Sequence, residues 1–335
     1  MSKFGDFKVV ADHKFEIIPC PYEQTTTYGQ GTKLGPAAIL AASQELEFFD
    51  DEFGFDPSEL GIKTLDPVNI DLQDSSTEKP FAALEQACTD SYSRNKFPIV
   101  LGGEHSLSLG AVKAAYQAAE GKLTLLHFDA HADLRKEYNG NPYNHACAIY
   151  SIYKACPKIK IVSVGIRNIS KGECDWLREL EKQAEDNMIE EMPITIFYAR
   201  DEFHKTYTYR IANKDFNPDI GAKESSKRFS PGSQHKYWNS KDVIDTIRNY
   251  GNHNLYISFD VDGLDSTLMP STGTPEPGGL DWYTPTNIIR EACQDSKLIG
   301  ADIVELAPIQ GFHSADFLVA KLVYKIIASK LASIS

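Results

Sequence analysis

The sequence predicts an α/β layered sandwich built on a mainly parallel sheet. Short runs rich in Ile, Val, Leu and Phe alternate along the chain with longer helix-like segments. Most of those runs lack the apolar–polar alternation of a half-exposed strand, as expected of parallel strands covered on both faces. The strand–helix rhythm places helices against the sheet. In open sheets of that kind ligands bind at the carboxyl ends of the strands.

The strands expected in order are Phe15–Ile18, Pro98–Leu101, Leu123–Phe128, Ile159–Val164, Ile194–Tyr198, Leu255–Phe259 and Leu298–Glu305. Helices are expected over Pro36–Leu46, Pro80–Ser93, Leu107–Ala119, Cys174–Asp186, Ser240–Tyr250, Pro285–Asp295 and Ala315–Leu331. Pro36, Pro80 and Pro285 each open a segment, where a missing N–H costs nothing. Residues 201–238 break the rhythm: they are polar and aromatic, with Pro218 and Pro231. A long irregular stretch of that kind is usually functional or disordered. Its aromatic content favours an ordered insertion, either near a site mouth or as a surface or oligomer contact. The rest of the 335 residues reads as one domain.

A chain of this length buries a large core without disulfides. The net charge of −13 argues against nucleic acid, whose phosphates need a basic patch. The six cysteines are scattered with no C-x-x-C pair, so neither a disulfide framework nor a structural zinc site is expected. The opening MSKFGDFKVV has no long apolar core, so no secretory signal is expected there, and no apolar stretch is long enough to span a bilayer. A reduced, cytoplasmic, soluble protein is expected.

Three apolar runs are each followed by acids or imidazoles. Gly102–Gly103–Glu104–His105–Ser106 follows one, Asp129–Ala130–His131–Ala132–Asp133 the second, and Asp260–Val261–Asp262–Gly263 the third. Carboxylates gathered in one place repel each other, and burying them unpaired is costly. Divalent cations remove that cost. Asp129, His131 and Asp133 alternate, so in an extended segment they share one side, as do Asp260 and Asp262. Mixed carboxylate and imidazole donors suit Mn²⁺, with Fe²⁺, Co²⁺, Ni²⁺ and Zn²⁺ as alternatives. The donors are too many for one ion, and two ions sharing carboxylates activate a water between them.

These motifs resemble those of the ureohydrolases, the arginase/agmatinase family. G-G-E-H-S at 102–106, D-A-H-A-D at 129–133, and S-F-D-V-D-G-L-D at 258–265 running into M-P-S-T-G-T-P-E-P-G-G-L at 269–280 carry the resemblance. It extends to G-T-K-L-G-P at 31–36 and A-D-I-V-E-L-A-P at 301–308, hence to nearly the whole chain outside 201–238. The resemblance implies a three-layer sandwich with about eight strands. It implies two Mn²⁺ ions, one held by His105, Asp129, Asp133 and Asp260, the other by Asp129, His131, Asp260 and Asp262. It also implies that Asp133 orients the attacking hydroxide and takes its proton, that Glu305 binds the guanidinium, and that His145 shuttles protons. A homo-oligomer, trimer or hexamer, is implied as well.

The motif wording is similar to agmatinase-type members. Agmatine is therefore the first expected substrate, before guanidinobutyrate, other guanidino acids or guanidine, with arginine third and formiminoglutamate a further alternative. The loop at 134–144 offers Arg135, Lys136, Asn139, Asn141 and Asn144 as donors, with Asn144 the expected substrate contact. Where the family often reads S-H-G, this chain reads N-H-A-C at 144–147, which leaves the loop's substrate contacts open. His127 is left as a wall or supporting group and His313 as a further pocket candidate. Two other readings remain: a catalytically silent metal-binding protein, which loss of ligands would mark, and a deacetylase-like hydrolase with one zinc and fewer ligands.

Overall fold

The structure is a computed structural model that describes residues 3–7, 10–70, 81–202 and 237–332. Among the described residues eight strands form one sheet: β1 (Phe15–Cys20), β2 (Ile62–Thr64), β3 (Phe97–Gly102), β4 (Leu123–Phe128), β5 (Lys160–Ile166), β6 (Ile194–Tyr198), β7 (Asn254–Asp260) and β8 (Lys297–Val304). Their order is β2-β1-β3-β8-β7-β4-β5-β6, and every pairing is parallel. Every residue of β1, β3 and β4 is buried, which is why their sequences run apolar without alternation.

Helices cover both faces. α1 (Gly35–Ala42), α6 (Ser240–Asn249), α7 (Tyr283–Asp295) and α8 (Ser314–Ala332) pack on one side around Ile17, Ile257, Ile289 and Val323. α2 (Ala82–Ser93), α3 (Ser108–Ala118), α4 (Ala148–Ala155) and α5 (Lys171–Glu185) pack on the other around Leu84, Val112, Ile152 and Leu177. The expected α/β sandwich is what forms.

The differences lie at element ends. β2, a three-residue edge strand, and α4 were not anticipated. The helix expected from Pro36 to Leu46 stops at Ala42 and tightens into a 3₁₀ turn, Ser43–Glu45. α5 begins three residues before Cys174, because Ser170 and Glu173 form a reciprocal capping box. Pro285 is the third residue of α7, still within the turn whose N–H groups have no helical partner. Pro80 lies outside the described residues, as do residues 203–236 of the expected insertion. The two flanks of that segment meet: Glu202 pairs with Trp238, whose indole N–H donates to the Tyr198 carbonyl at 2.8 Å. All six cysteines are free and buried. Among the described residues no helix is long and apolar enough to cross a membrane.

Candidate metal centre

The four central strands, adjacent in the order β3, β8, β7, β4, deliver the site. After β3 the chain passes Gly103 and Glu104 into a 3₁₀ turn that begins at His105. Gly103 admits no side chain, since a Cβ there would lie 1.8 Å from the Tyr22 carbonyl oxygen. Asp260 ends β7, and Asp262 sits in the 3₁₀ turn Val261–Gly263. The acids do not converge by alternation along an extended segment, as their spacing suggests. β4 ends at Phe128, before the first of its acids. Asp133 sits at φ 50° and Glu305, one residue past β8, at φ 65°. Non-glycine residues rarely occupy that left-handed region, and strain of this kind persists where the surroundings enforce it. Here Tyr150 N–H donates to the Asp133 carbonyl at 3.0 Å, and Glu305 N–H to the Gly103 carbonyl at 2.8 Å.

The side chains form two lobes that share Asp129. His105 Nδ1 lies 3.2 Å from Asp129 Oδ2, 3.1 Å from Asp133 Oδ2 and 3.5 Å from Asp260 Oδ2. His131 Nδ1 lies 3.0 Å from Asp262 Oδ2 and 3.6 Å from Asp129 Oδ1. Burial raises the Asp133 carboxyl to about 7, helped by the Asp129 charge. Burial also raises Asp260, with the charges of Asp262, Asp129 and Glu305 adding to it. Burial opposes His131, yet Asp262 and Asp129 bring it up to about 12. Carboxylates that push one another up in this way form a site suited to cations.

Hydrogen-bond bookkeeping supports the same fit. Ser258 Oγ has one proton and donates it to Asp302 Oδ1 at 2.7 Å. The His105 Nε2 contact to Ser258 Oγ, at 3.1 Å, is therefore an N–H donating to the hydroxyl. The proton of neutral His105 is thereby placed on Nε2, and Nδ1 carries a lone pair. That buried Nδ1 faces three carboxylates without good hydrogen-bond geometry to any of them. Burial opposes a charge on the ring, but Asp129 and Asp133 raise it well above the ordinary histidine range, so a cation would take the place of a proton there. A lone pair ringed by carboxylate oxygens is a donor set for a divalent cation.

The sequence matches the Arginase family over residues 13–209 and 221–328. The chain belongs to the arginase family. It is 31% identical over 324 residues to the N(1)-aminopropylagmatine ureohydrolase of Synechocystis sp., covering 95% of this chain and 89% of that one. It is 28% identical to the agmatinase of Pyrococcus horikoshii, covering 95% and 92%. Among solved structures it resembles the agmatine ureohydrolase of Thermoplasma volcanium, with a TM-score of 0.71 at 26% identity over 96% of this chain and 92% of that chain. Membership makes the protein a hydrolase of C–N bonds in linear amidines, from a family that works with a binuclear metal centre.

A row of polar residues underlies the arginase-family site, one level down the strands. Ser163, His127, Ser258 and Asp302 are neighbours in register across β5, β4, β7 and β8. His127 Nε2 lies 2.8 Å from Asp129 Oδ2, and its Nδ1 lies 3.0 Å from Ser163 Oγ. His127 thus supports Asp129. Ser258 and Asp302 were given no role in the sequence, although Ser258 stands two residues before Asp260 on β7 and so shares a strand side with that acid. Arg167 was also missed. Its Nη2 donates to the carbonyls of Asp262 at 2.6 Å and Glu276 at 2.8 Å, tying two site loops together.

The cavity above is lined by His131, Asp133, His145, Asp260, Asp262 and Glu305 together with Thr26–Gly29, Arg135, Tyr138, Asn168, Glu173, Gly273 and Thr274. Glu305 Oε1 accepts from His105 N–H at 2.6 Å. Burial lowers the His145 imidazole below its ordinary range, against the opposing Glu104 charge. Of the expected loop donors Arg135 alone lines the cavity, its guanidinium 4.8 Å over the Tyr138 ring. Asn144 does not line it: its Oδ1 caps the following turn by accepting from Ala146 N–H at 3.0 Å. His313 is exposed and away from the cavity. Asp201 and Glu202 are also outside it, Glu202 accepting from Thr284 Oγ1 at 2.8 Å.

Proposed function

We propose that the protein hydrolyses agmatine to putrescine and urea, using two divalent cations with Mn²⁺ the first choice. The observation that carries the reading is the pair of lobes, His105–Asp133–Asp260 and His131–Asp262, joined through Asp129 beside a cavity that Glu305 and His145 also line. His105, Asp129, Asp133 and Asp260 would hold one ion, and Asp129, His131, Asp260 and Asp262 the other. When bound, such ions supply a water that is nucleophilic at neutral pH and charge at the reacting centre.

The chain's own groups do the rest. Glu305 spends Oε1 on His105 N–H and offers its remaining acceptors to the planar guanidinium, which a carboxylate matches by paired hydrogen bonds. Asp133, whose Oδ2 lies 3.1 Å from His105 Nδ1 at the cavity wall, takes the proton of the attacking water. His145 stands at the cavity wall and carries that proton onward to the departing nitrogen. As the C–N bond breaks, the second proton of the attacking water follows it, so the products are urea and an alkylammonium that carries the charge of the guanidinium. We read the chain as one catalytic domain that carries the 201–238 insertion, works in the cytoplasm and assembles as a homo-oligomer.

A second reading, N(1)-aminopropylagmatine as substrate, is favoured by the name of the Synechocystis relative. Both substrates share the guanidinium and differ in the tail. The test is urea release by the Mn²⁺-loaded protein from agmatine, N(1)-aminopropylagmatine, arginine, guanidinobutyrate and guanidine. The highest kcat/KM is expected for agmatine. Preference for aminopropylagmatine selects the second reading, and preference for a carboxylate-bearing substrate overturns both.

A further inference from the structure

We infer that Thr25 and Glu104 are positioning residues that set the tautomer of His145, making Nε2 its proton-accepting nitrogen. The inference rests on the reading of His145 as the proton carrier. It begins with Glu104, which is buried beside the site with all its contacts made to donors. Glu104 Oε2 accepts from the backbone N–H groups of Gln24 at 2.5 Å and Thr25 at 2.6 Å. Its Oε1 accepts from Thr25 Oγ1 at 2.7 Å and Ser106 Oγ at 2.5 Å.

Thr25 therefore has no proton left to give. Its Oγ1 accepts from His145 N–H at 2.9 Å and lies 3.1 Å from His145 Nδ1. A hydroxyl whose single proton is committed to a carboxylate acts toward other groups only as an acceptor. Nδ1 must then bear the hydrogen, and Nε2 is left with the lone pair in the cavity that the ring lines. The loop after β1, which has no part in the ligand set, thus reaches across to orient the proton carrier. A wrong tautomer cannot take a proton at the nitrogen that faces the chemistry.

Glu104→Gln separates tautomer from shape. Two backbone N–H groups cannot turn away, so the amide oxygen must occupy the Oε2 position. The amide NH₂ then faces Thr25 Oγ1, which is freed to donate to Nδ1, and His145 switches to the Nε2–H form with every heavy atom in place. Glu104→Gln and Thr25→Val are expected to lower kcat by on the order of 10–100-fold, with KM and metal content unchanged. Thr25→Ser, which keeps the hydroxyl, should restore most of the turnover. The assays use the metal-loaded enzyme with its best guanidino substrate, with the thermal midpoint and bound metal measured for each variant. Nitrogen NMR of ¹⁵N-histidine protein loaded with diamagnetic Zn²⁺, with His145 assigned by difference from His145→Gln, reads the tautomer of the unmutated chain directly. A lone pair on Nε2 supports the proposal, and an Nε2–H resonance overturns it. If His145→Ala lowers kcat while folded Glu104→Gln and Thr25→Val do not, the inference fails and the proton-carrier reading stands. If His145→Ala leaves kcat unchanged, that reading fails and takes the inference with it.

Discussion

Ser258→Ala removes one hydroxyl that touches no expected substrate atom, and its predicted effect is on metal binding. In the folded chain the Ser258 proton goes to Asp302 Oδ1 at 2.7 Å, and its oxygen receives His105 Nε2–H at 3.1 Å. Without the hydroxyl, that N–H is left buried and unpaired, at a cost of about 1–3 kcal/mol. The ring can escape by moving its proton to Nδ1, where Asp129, Asp133 and Asp260 oxygens lie 3.1–3.5 Å away. A proton there competes with a cation for the same oxygens. At about 1.4 kcal/mol per decade, the cost corresponds to roughly 5- to 150-fold in affinity. Loss of an outer partner of a metal-bound histidine typically costs about 10–100-fold, which falls within that window. The expected result is a Kd for metal weakened by about 10–100-fold in a chelator competition titration, with activity restored at saturating metal. A folded Ser258→Ala protein whose metal affinity stays within about twofold of wild type would refute the argument from the tautomer.

Three other outcomes are expected. Asp129 faces both lobes, so Asp129→Asn should lower bound metal toward zero rather than by one ion per chain, as read by elemental analysis of the dialysed protein. Burial holds His145 below the ordinary histidine range. A base with a depressed pKa stays unprotonated to lower pH, so kcat should remain flat through neutrality and decline only below about pH 6.5, the unperturbed value. A decline that begins above neutrality on the acid side would contradict this. Lys325 on α8 pairs with Asp50 at 2.9 Å and Glu52 at 3.1 Å, and Asp50 is fully buried. Lys325→Met strands that carboxylate and should cost about 3–5 kcal/mol in urea denaturation, with kcat per folded molecule unchanged.

The strands and the acids at their ends were legible because each has a local cause. A parallel strand buried on both faces must be apolar throughout, and an acid directly after such a run stands at the sheet edge where ligands bind. β2 was not legible, because Ile62–Thr64 is three residues long with a lysine at its centre, and pairing with β1 alone defines it. The way the acids converge was not legible either. Alternate spacing suggested an extended segment, but the turns at Asp133 and Glu305 are held by Tyr150 and Gly103, partners 17 and 202 positions away in the chain. Asn144, the substrate contact expected in the 134–144 loop, lies outside the cavity for a related reason. A polar side chain near a site is as readily used on its own backbone, and Asn144 spends its oxygen on the turn that presents His145.

The least legible residues are the ones that decide protonation. Ser258, Asp302, Thr25 and Glu104 carry no metal or substrate contact that a motif could announce. Their effect depends on which of two oxygens owns a proton. Two imidazoles of the site, His105 and His145, are each bound to a hydroxyl that is itself bound to a buried carboxylate. The hydroxyl passes on the carboxylate's demand for a proton, and the imidazole must answer as a donor. In His105 the hydrogen is placed on Nε2 and the lone pair turned toward the acids. In His145 it is placed on Nδ1 and the lone pair turned toward the cavity. The same hydroxyl–carboxylate pair thus prepares one histidine to hold a cation and the other to move a proton. A carboxylate exchanged for its amide would therefore alter function without altering shape.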